Sequence, residues 1–542
     1  MNPTGPHVVM LVANDLSIDT RVRKIASDVA EAGPQVTVLG ISPTNERQEL
    51  SLGRADVVLL PVGQILREST HLDPSVPTAQ TTVLEQKIRS DRESYFNRQR
   101  TVGAEIGEKR KVFYASRASR LTDDARALES KKEAGGSGRL FGLQVRAGRR
   151  KNSLRESYLH RTFQWKEDLI RRRLSLSYWL HQRRQSRLRR RLIRSQEQDV
   201  RQADWRTIHP ELHDYEDAFG RELDRLTPDV IHAHDIHLLG VAARAVGRRH
   251  VSGNPPALIY DSHEFVPGLA KDSRRAVVGW ASLEDEYIRR ADRIITVAQP
   301  MAERIAAQYA LPEVPEVVLN VPIPTNGPGA TIRDVSRVPD EAPIVVYAGG
   351  VTPLRSVDTL ARAMGQINEA HLVLVTGRDR YSEALEEICA EGGYGDRVHF
   401  LPYVDPEDVV GFLTSATVGV SPYSSVPESH RVTLTNKVFE YMHAGLPVVV
   451  SDCPATAELV TLHQIGEVFE AEDVDALAIV LKKVLADPYR YTKAYSDHPE
   501  LLESQYSWRA QRKVLLSVYE DILGEEAVNQ DFEVSELPAL EQ

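Results

Sequence analysis

The sequence predicts an α/β protein in which two parallel-sheet domains face a cleft and the first domain carries a largely helical, basic insertion. Three observations indicate this class. Short apolar runs alternate with amphipathic segments in two separate series, and "PIPTNGPGATIRDVSRVPDEAP" (residues 322–343) separates the series with a linker rich in Pro and Gly. Residues from about 82 to 215 lack the alternation and interrupt the first series.

The first series begins with "HVVMLVA" (residues 7–13), a continuous apolar run of the kind that parallel strands show when both faces are buried. The amphipathic "TRVRKIASDVAEAG" follows and ends at Gly33, a typical helix stop. "QVTVLGI" and "ADVVLLPV" are the next two predicted strands, and the rhythm resumes with "PDVIHAHD", "PALIYDSHE" and "ADRIITVA". We therefore predict a first domain over residues 1–325, with the insertion at about 82–215.

The second series starts at "APIVVYAGG" and continues through "HLVLVTG", "RVHFLPYV", "VGVSPY" and "LPVVVSD". It predicts a second domain over residues 326–503. One amphipathic helix, within residues 504–524, then closes the fold. Residues 525–542 are acidic and lack periodicity, so we predict a disordered tail.

Composition narrows the class of protein. The two cysteines among 542 residues, Cys389 and Cys453, lie in unrelated contexts, which favours a reducing compartment and argues against a disulfide framework. The N-terminus lacks the pattern of a signal peptide, and no window approaches the roughly 20 apolar residues that a membrane-spanning helix needs. We expect a cytoplasmic protein, or one held peripherally at the cytoplasmic face of a membrane.

The insertion carries an unusual charge. The chain has a net charge of −10, yet residues 139–194 hold 18 Lys and Arg against three acids, a local net charge of +15. Trp165, Leu169, Leu176 and Leu180 recur there near helical spacing. One interpretation is a basic amphipathic helix on an anionic membrane, and another is a helical hairpin packed on its own domain or on a partner. A nucleic-acid interface is disfavoured, because no recognition motif accompanies the arginines.

The stretch "TNKVFEYMHAGLPVVVSD" joins a short predicted helix to a buried strand. Lys437 and Glu440 share one helix face, so the pair has two interpretations. It is either a surface ion pair or part of a nucleotide-diphosphate site. In the second case the helix start, Asn436 and Lys437 hold phosphate, and Glu440 accepts hydrogen bonds from ribose hydroxyls.

A second cluster, "AGGVTPLRSVD", follows the first strand of the second domain. Gly349 and Gly350 permit close approach of a ligand to the backbone, and Arg355 lies near the next helix start. A Gly-Gly turn is common by itself. Opposite Lys437, however, this turn would bring a second cation to the same phosphates.

The sequence gives little reason to expect a metal. "DVD" at Asp473 opens an amphipathic segment, where capping of a helix N-terminus accounts for it. In "IHAHDIH", alternation places His232 and His234 on one strand face, with His237 beyond, but no further ligand set accompanies them. We therefore expect neither a metal nor a cofactor.

Taken together and in this order, "DTRVRKIASDVAEAGPQVTVLGI", "IYDSHE", "VVYAGGVTPLRSVDTLARAM", "LPYV", "TNKVFEYMHAGLPVVVSD" and "YSWRAQRKVLLSVYEDIL" resemble the retaining glycosyltransferases of family 4. The resemblance covers nearly everything outside residues 82–215 and the acidic tail. It implies the GT-B fold, in which two Rossmann-like domains face each other across a cleft.

The resemblance also implies a site that draws on both domains. It places His263, Arg355 and Lys437 in the catalytic centre, with the backbone near Tyr403 and Val404 bordering the nucleotide base. The residues implied around the donor are Gly349, Gly350, Arg378, Tyr403, Val404, Asn436 and Glu440, and those on the acceptor side are Arg21, Asp235 and His237.

Two positions depart from the family pattern. Gly350 stands where members often carry an arginine, and Val432 stands where many carry a glutamate. The implied function is metal-independent, retaining transfer of a sugar from a UDP- or GDP-linked donor to a glycan or lipid-linked acceptor, such as a cell-envelope glycan precursor. The alternative is a catalytically inactive GT-B scaffold that recruits a partner or a membrane through the arginine-rich insertion.

Overall fold

The computed structural model describes residues 5–63, 79–133, 139–251, 253–269, 274–324, 329–530, 532 and 537–541. The chain forms two compact units, one from Met1–Thr78 with Gln196–Gln542 and the other from Ala79–Ser195. The second unit overlaps most of the predicted insertion at about 82–215 and begins three residues before it. Residues 196–215 belong to the first unit instead.

The first unit holds two separate sheets. The first-sheet strands that precede the linker, numbered in chain order, are β1 (His7–Leu11), β2 (Gln35–Ile41), β3 (Gln48–Leu52), β4 (Ala55–Leu60), β5 (Val230–His234), β6 (Ala257–Ser262), β7 (Arg293–Thr296) and β8 (Glu316–Val317). The strands of the second sheet are β9 (Ile344–Ala348), β10 (His371–Val375), β11 (Val398–Leu401), β12 (Val418–Ser421), β13 (Val448–Ser451) and β14 (Gly466–Phe469). A final strand, β15 (Leu540–Glu541), returns to the first sheet.

Both sheets have the crossover order of doubly wound α/β domains. The first runs β15-β3-β4-β2-β1-β5-β6-β7-β8 and the second runs β11-β10-β9-β12-β13-β14. Every pair is parallel except β3 with β4 and β3 with β15. Val9 in β1 is level with Thr37 in β2 and Ile231 in β5, and the central strands are buried on both faces.

Helices cover both faces of the sheets. Those of the first unit are Trp205–Ile208, Leu212–Tyr215, Arg221–Leu226, Ile236–Val251, Arg274–Tyr287, Gln299–Tyr309, Ile332–Val335, Val357–Ala363, Arg380–Glu391, Val409–Leu413, Glu428–Val432, Asn436–His443, Pro454–His463, Val474–Ala486, Tyr489–Asp497, Trp508–Leu523 and, at the start, Thr20–Glu31. The Thr20–Glu31 helix begins where the side chain of Asp19 accepts a hydrogen bond from the Val22 N–H. As predicted, Asp473 caps the Val474–Ala486 helix.

The Trp508–Leu523 helix ties the end of the second domain back to the first. Trp508 Nε1 donates to Asp28 at 2.7 Å, and the Tyr519 hydroxyl is hydrogen-bonded to His232 Nδ1 at 2.7 Å. Both partners are buried in the first domain. The predicted closing helix is therefore present, and it closes the fold by binding the first domain.

The described part of the acidic tail differs from the predicted disorder. The Asn529 N–H donates to the Ala32 carbonyl at 2.8 Å, Val528 is buried, and β15 pairs antiparallel with β3. Residues 531, 533–536 and 542 lie outside the described residues, as do residues 325–328 of the predicted linker. Leu540 and Glu541 pair with β3 through their backbone, since the edge of the first sheet offers free hydrogen-bonding groups.

The insertion is largely helical, as predicted. Its helices, Ala79–Glu133 and Arg139–Gln202, contact one another through stacked rings and an ion pair. Phe113 stacks on Phe163 with ring centroids 4.2 Å apart, and Arg120 donates to Glu156 at 2.7 Å. This pairing matches one part of the hairpin interpretation.

The apolar stripe of the insertion is not used in that pairing. Trp165 is 65% exposed, and Leu169, Leu176 and Leu180 are exposed by 40%, 57% and 53%. None of the helices in the described part of the chain has both the length and the apolarity to cross a membrane.

Candidate functional site

The glycine turn after β9 lies against Lys437. Gly349 has φ +123°, a conformation that favours glycine, and a Cβ there would lie 2.6 Å from Lys437 Nζ. The ammonium group therefore occupies the space that a side chain at position 349 would need. This contact places the start of the Asn436–His443 helix directly beside the turn.

Arg355 joins the same turn. Its Nη1 donates to the Gly350 carbonyl at 2.7 Å and would lie 2.9 Å from a Cβ at position 350. The guanidinium thus fills the space next to Gly350, where family members often carry an arginine. Arg355 thus lies directly beside position 350.

Two tyrosines, which the sequence reasoning missed, hold the cations together. Lys437 Nζ lies 5.4 Å from the ring centroid of Tyr347 and 5.8 Å from that of Tyr423, and Arg355 Cζ lies 5.9 Å from that of Tyr423. Such contacts stabilise cations without neutralising them. Among the described residues, neither Arg355 nor Lys437 makes an ion pair with a carboxylate, so both charges remain available.

The start of the Asn436–His443 helix is open. Thr435, at the N-cap position, makes no capping hydrogen bond with its side chain, and its buried hydroxyl has no partner among the described residues. The first N–H groups of a helix have no partner within the helix and favour anions. Together with Lys437, this end of the helix can accept a phosphate.

Lys437 and Glu440 do not form the surface ion pair that their spacing allowed. Lys437 faces a cavity of about 660 Å³, the main cavity, whereas Glu440 faces a small cavity of about 50 Å³ together with Lys24. Burial raises the pKa of Glu440, against the opposing effect of Lys437 and Lys24. Asn436 lines both cavities and connects the two environments.

The residues expected near the base are not among those that line the main cavity. Tyr403 lies beside the turn. The Tyr403 hydroxyl is 3.4 Å from the Cβ position of Gly350, and Tyr403 is 60% exposed. Arg378 forms an ion pair with Glu386 at 2.6 Å. Val404 packs partly against the hydrophobic core. Of the three, Tyr403 is the residue that borders the turn.

The first domain contributes a buried charge network centred on Asp261. Arg21 donates to both Asp261 carboxylate oxygens at 2.8 Å, and its third nitrogen donates to the Val318 carbonyl at 2.8 Å. His263 Nε2 donates to Asp261 at 2.9 Å, while its Nδ1 lies 3.3 Å from Asp235. All three guanidinium nitrogens of Arg21 are therefore used within the first domain, although the residue also lines the main cavity.

The network fixes the protonation of its members. Burial alone would lower the pKa of His263, but Asp235 and Asp261 outweigh it and hold that pKa well above 6.5. Burial would raise the pKa of Asp261, yet Arg21 and His263 keep it well below its usual value. His263 is therefore a cation in the cleft. Asp235 adopts φ 62°, a strained backbone at the end of β5.

His232 and His234 lie beside Asp261, a third residue that can bind a metal ion. The two rings stack with centroids 4.1 Å apart, and ligand atoms of His232, His234 and Asp261 lie within 4.8 Å of one another. Asp261, however, already binds Arg21 through both oxygens, and His234 Nδ1 is hydrogen-bonded to it at 3.1 Å. A metal here would face the Arg21 cation, so the donor set does not fit one.

A cavity of about 660 Å³ joins the two domains and collects the catalytic residues that the resemblance implied. Asp235 and His237 lie outside it and line an adjoining cavity of about 310 Å³ with His263 and Trp280. The residues lining the main cavity include Arg21, His263, Glu264, Asn320, Arg355, Tyr423, His430, Thr435, Asn436 and Lys437.

Two further residues, Asp261 and Trp280, were not predicted from the sequence. Asp261 comes near the end of β6, where "YDSHE" puts polar residues after an apolar run, so its position was a usable signal. Trp280, in the Arg274–Tyr287 helix, gave no such signal, because nothing in its local sequence distinguishes a cavity wall from a core position.

Known proteins share both domains. A model described as Glycosyltransferase Family 4 matches residues 201–322, and one described as Glycosyl transferases group 1 matches residues 342–487. These matches fall on the later strands of the first sheet and on the second sheet.

Individual relatives are distant. An uncharacterized glycosyltransferase of Methanocaldococcus jannaschii is 26% identical over 317 residues, which cover 54% of this chain and 75% of that protein. A D-inositol 3-phosphate glycosyltransferase of Mycolicibacterium gilvum is 27% identical over 245 residues, which cover 44% of this chain and 53% of that protein. The chain thus matches only about half the length of the second relative.

Among solved structures, sucrose-phosphate synthase from Thermosynechococcus elongatus is similar with a TM-score of 0.58 at 14% identity. The similarity covers 95% of this chain and 99% of that one, and at this identity it shows the fold alone. The two models match in order along the chain, so the protein carries a Glycosyltransferase Family 4 domain followed by a Glycosyl transferases group 1 domain and has the GT-B fold.

Proposed function

We propose that this glycosyltransferase moves a sugar from a nucleoside-diphosphate donor to a hydroxyl of a glycan or lipid-linked acceptor, with retention and without a metal. One observation carries the proposal: Arg355 and Lys437 meet at a glycine turn beside an uncapped helix start, and neither makes an ion pair with a carboxylate in the described structure. Two unneutralised cations in a cleft are costly to keep, and a diphosphate would compensate both.

We assign the donor from the groups that the cavity offers to a diphosphate. The diphosphate oxygens would accept hydrogen bonds from Lys437, Arg355 and the N–H groups at the helix start. The family resemblance assigns the ribose hydroxyls to Glu440, which faces the small cavity beside the helix start, and the border of the base to Tyr403 and Arg378. A UDP- or GDP-linked sugar fits this order of groups.

In the reaction, the acceptor oxygen forms a bond to the anomeric carbon of the donor sugar. The bond from that carbon to the phosphate oxygen breaks, the nucleoside diphosphate leaves with the electron pair, and the acceptor hydroxyl loses its proton. Charge grows on the leaving phosphate, where Arg355 and Lys437 stabilise it. Fixed donors aimed at developing charge are often the largest single contribution to catalysis.

We assign His263 no role as the general base, because Asp235 and Asp261 favour its protonated form. It contributes a fixed positive charge to the wall of the cavity beside the reacting sugar. The proposed retention follows the family resemblance. It predicts that the anomeric configuration of the product, read by NMR coupling constants, matches that of the donor.

Calorimetric titration tests the donor site. UDP, GDP, ADP and dTDP are titrated without metal into the parent protein, Lys437→Ala and the control Lys482→Ala, whose lysine is exposed in the same domain. We expect one nucleotide to bind the parent and the control, and to bind Lys437→Ala at least tenfold more weakly. If none of the four binds, the inactive scaffold becomes the better explanation.

A second role concerns the insertion. The exposed stripe of Trp165, Leu169, Leu176 and Leu180 lies on a helix whose residues 139–194 carry a net charge of +15. Apolar and aromatic side chains beside excess arginine are typical of helices that lie on anionic bilayers, where each basic residue adds about 1 kcal/mol. We propose that this surface binds an anionic membrane.

Flotation with vesicles of phosphatidylcholine and phosphatidylserine tests this role. The full chain should float with the anionic vesicles and remain behind with phosphatidylcholine alone. Replacing the four stripe residues with serine should abolish flotation, while the control Leu462→Ser with Ile479→Ser, also exposed, should not. Flotation that is unchanged in the stripe variant would show that the stripe does not bind the bilayer.

A further inference from the structure

His430 lies in the wall of the main cavity, on the short helix Glu428–Val432 that follows β12. It shares that wall with Arg355 and Lys437, the two cations of the proposed donor site. No step of the transfer described above uses it. Its imidazole nevertheless has a fixed position, a fixed tautomer and a ring nitrogen that can contact a ligand.

Contacts on several sides fix the position of the ring. His430 meets Tyr423 edge-on, with ring centroids 4.8 Å apart and ring planes at 84°. Two residues earlier on the same helix, Glu428 accepts a hydrogen bond from Arg304 of the first domain at 2.7 Å. This ion pair connects the helix to the opposite side of the cleft, so His430 is held in the cavity wall from both domains.

A backbone carbonyl fixes the tautomer. His430 Nδ1 lies 2.9 Å from the Ser424 carbonyl oxygen, which can only accept a hydrogen bond, so Nδ1 carries the proton. Burial, together with the charge of Arg355, lowers the pKa of His430 to about 4, against the opposing effect of the Ser424 carbonyl. At neutral pH the ring is therefore uncharged, and Nε2 is a hydrogen-bond acceptor.

Nε2 has the access that a ligand contact needs. In the part of the chain that the structure describes, this nitrogen makes no hydrogen bond, and the half-buried residue lines the main cavity. A polar atom in such a wall requires a partner that donates. A phosphate or a carboxylate offers only acceptors, whereas a hydroxyl can donate. A hydroxyl is therefore the ligand group that suits His430.

Tyr423 places this acceptor close to the cations. Arg355 Cζ lies 5.9 Å and Lys437 Nζ lies 5.8 Å from the centroid of the ring that His430 also contacts. In a nucleoside-diphosphate sugar, the sugar is bonded directly to the second phosphate. A sugar whose phosphates are held by these cations therefore lies beside them, where its hydroxyls are the donors nearest to His430.

We propose that His430 Nε2 accepts a hydrogen bond from a hydroxyl of the transferred sugar and so selects a donor sugar that carries a hydroxyl at that position. The proposal rests on the proposed function, since it concerns the donor of the same transfer. It makes His430 a specificity-determining residue. In the competing explanation, His430 is structural and serves only to hold the Ser424 carbonyl.

Two substitutions separate these explanations, because each keeps one half of the imidazole. The side-chain amide nitrogen of asparagine can take the place of Nδ1 and donate to the Ser424 carbonyl, but asparagine has no atom at the place of Nε2. Glutamine reaches the place of Nε2, where its carbonyl oxygen can accept, and lacks a donor at the place of Nδ1. His430→Asn therefore removes the ligand contact, and His430→Gln removes the structural one.

Calorimetry provides the test. The nucleotide that binds in the titrations described above is compared with its glucose, galactose, mannose and N-acetylglucosamine conjugates, on the parent, both variants and the control His498→Asn, whose histidine is exposed. We expect one conjugate to bind the parent more tightly than the nucleotide alone. His430→Asn should bind that conjugate roughly tenfold more weakly, whereas His430→Gln and the control should stay within about threefold of the parent. The nucleotide alone should bind all four proteins equally.

Deoxyfluoro sugars test the same contact on the parent protein, which protects the test if a variant fails to fold. Fluorine is similar in size to a hydroxyl but cannot donate a hydrogen bond. When each hydroxyl of the preferred sugar is replaced by fluorine in turn, at least one analogue should bind the parent roughly tenfold more weakly than the unmodified conjugate. In His430→Asn, that analogue and the unmodified conjugate should bind alike.

Several results would overturn the proposal. Full binding of the conjugate in His430→Asn, with a loss in His430→Gln, would show that the ring is structural, as would an equal loss of nucleotide and conjugate in His430→Asn. Equal binding of every fluorinated analogue, or conjugates that bind the parent no more tightly than the nucleotide, would show that Nε2 meets no sugar hydroxyl. Unchanged donor binding with reduced transfer would assign the contact to the acceptor instead. A parent protein that binds no nucleotide defeats the proposed function itself.

Discussion

The two sides of the cleft handle charge in opposite ways. On the first-domain side, Arg21, His263 and Asp261 neutralise one another through hydrogen bonds of 2.8 to 2.9 Å. On the second-domain side, Arg355 and Lys437 contact tyrosines and a backbone carbonyl, and no carboxylate of the described structure pairs with them. Charges on the first side are paired within the protein, whereas those on the second side are the ones that we propose to bind the donor.

This comparison predicts the largest effect on stability for Asp261→Asn. The substitution leaves Arg21 buried without its counter-charge and His263 with Asp235 alone, and breaking a buried pair in this way costs about 3–5 kcal/mol. Chemical denaturation should show this loss in the free energy of unfolding. In the control Asp521→Asn, which breaks an exposed pair with Arg293, the change should stay within about 1 kcal/mol. Equal losses in the two variants would remove the distinction between the sides.

Arg355→Ala and Lys437→Ala should do the reverse. Each should reduce transfer on the order of 100-fold, because a donor to the leaving phosphate is lost, and each should leave the free energy of unfolding unchanged or raised. Activity assays and denaturation of the same samples give both readouts, with Arg362→Ala and Lys482→Ala as exposed controls in the same domain. Unfolding of either cleft variant at ordinary temperature would mean that these cations are structural.

The stability that the first side supplies should depend on pH. The folded-state pKa of His263 lies above 6.5, since Asp235 and Asp261 outweigh the effect of burial. Its contribution is therefore complete below about pH 6.5 and is lost as the pH rises through the folded-state pKa, by up to about 1.4 kcal/mol per pH unit. Unfolding measured from pH 6.5 to 9.5 should show this fall in the parent and a shallower fall in His263→Gln. Parallel curves would contradict it.

The smallest expected effect is that of a chelator. If Arg355, Lys437 and the helix start neutralise the leaving phosphate, EDTA should change turnover by less than about twofold. Turnover by the dialysed enzyme, with and without EDTA and with added Mg²⁺, measures this. Loss of activity with EDTA that Mg²⁺ restores would show that the cations alone are insufficient.

Much of the fold could be predicted from local sequence. Continuous apolar runs marked the parallel strands, because strands buried on both faces carry apolar side chains at every position. The omitted β3 also had a signal: "QELSL" alternates and leads into Gly53–Arg54, a two-residue hairpin turn. β15 had none, since an acidic segment of two paired residues is ordered only by the edge strand that it meets.

Contacts in the site could be predicted where the residues belong to motifs at the strand ends of one sheet. They could not be predicted where the residues are far apart in the sequence. Lys437 and Arg355 could be brought together because both follow strand ends of one sheet. Arg21 and Asp261 are 240 residues apart, and their bond depends on the packing of a helix against a strand edge. Local spacing carries no information on such a contact.

The crossing of the Trp508–Leu523 helix has a consequence for how the protein is made. Asp28 and His232 receive their partners from residues 508 and 519, and β3 receives its outer neighbour only at residue 540. Domains generally fold as units while the ribosome still extends the chain. Here the first domain gains these partners only after the second domain has been synthesised, so we expect its nascent form to be less stable than the finished domain.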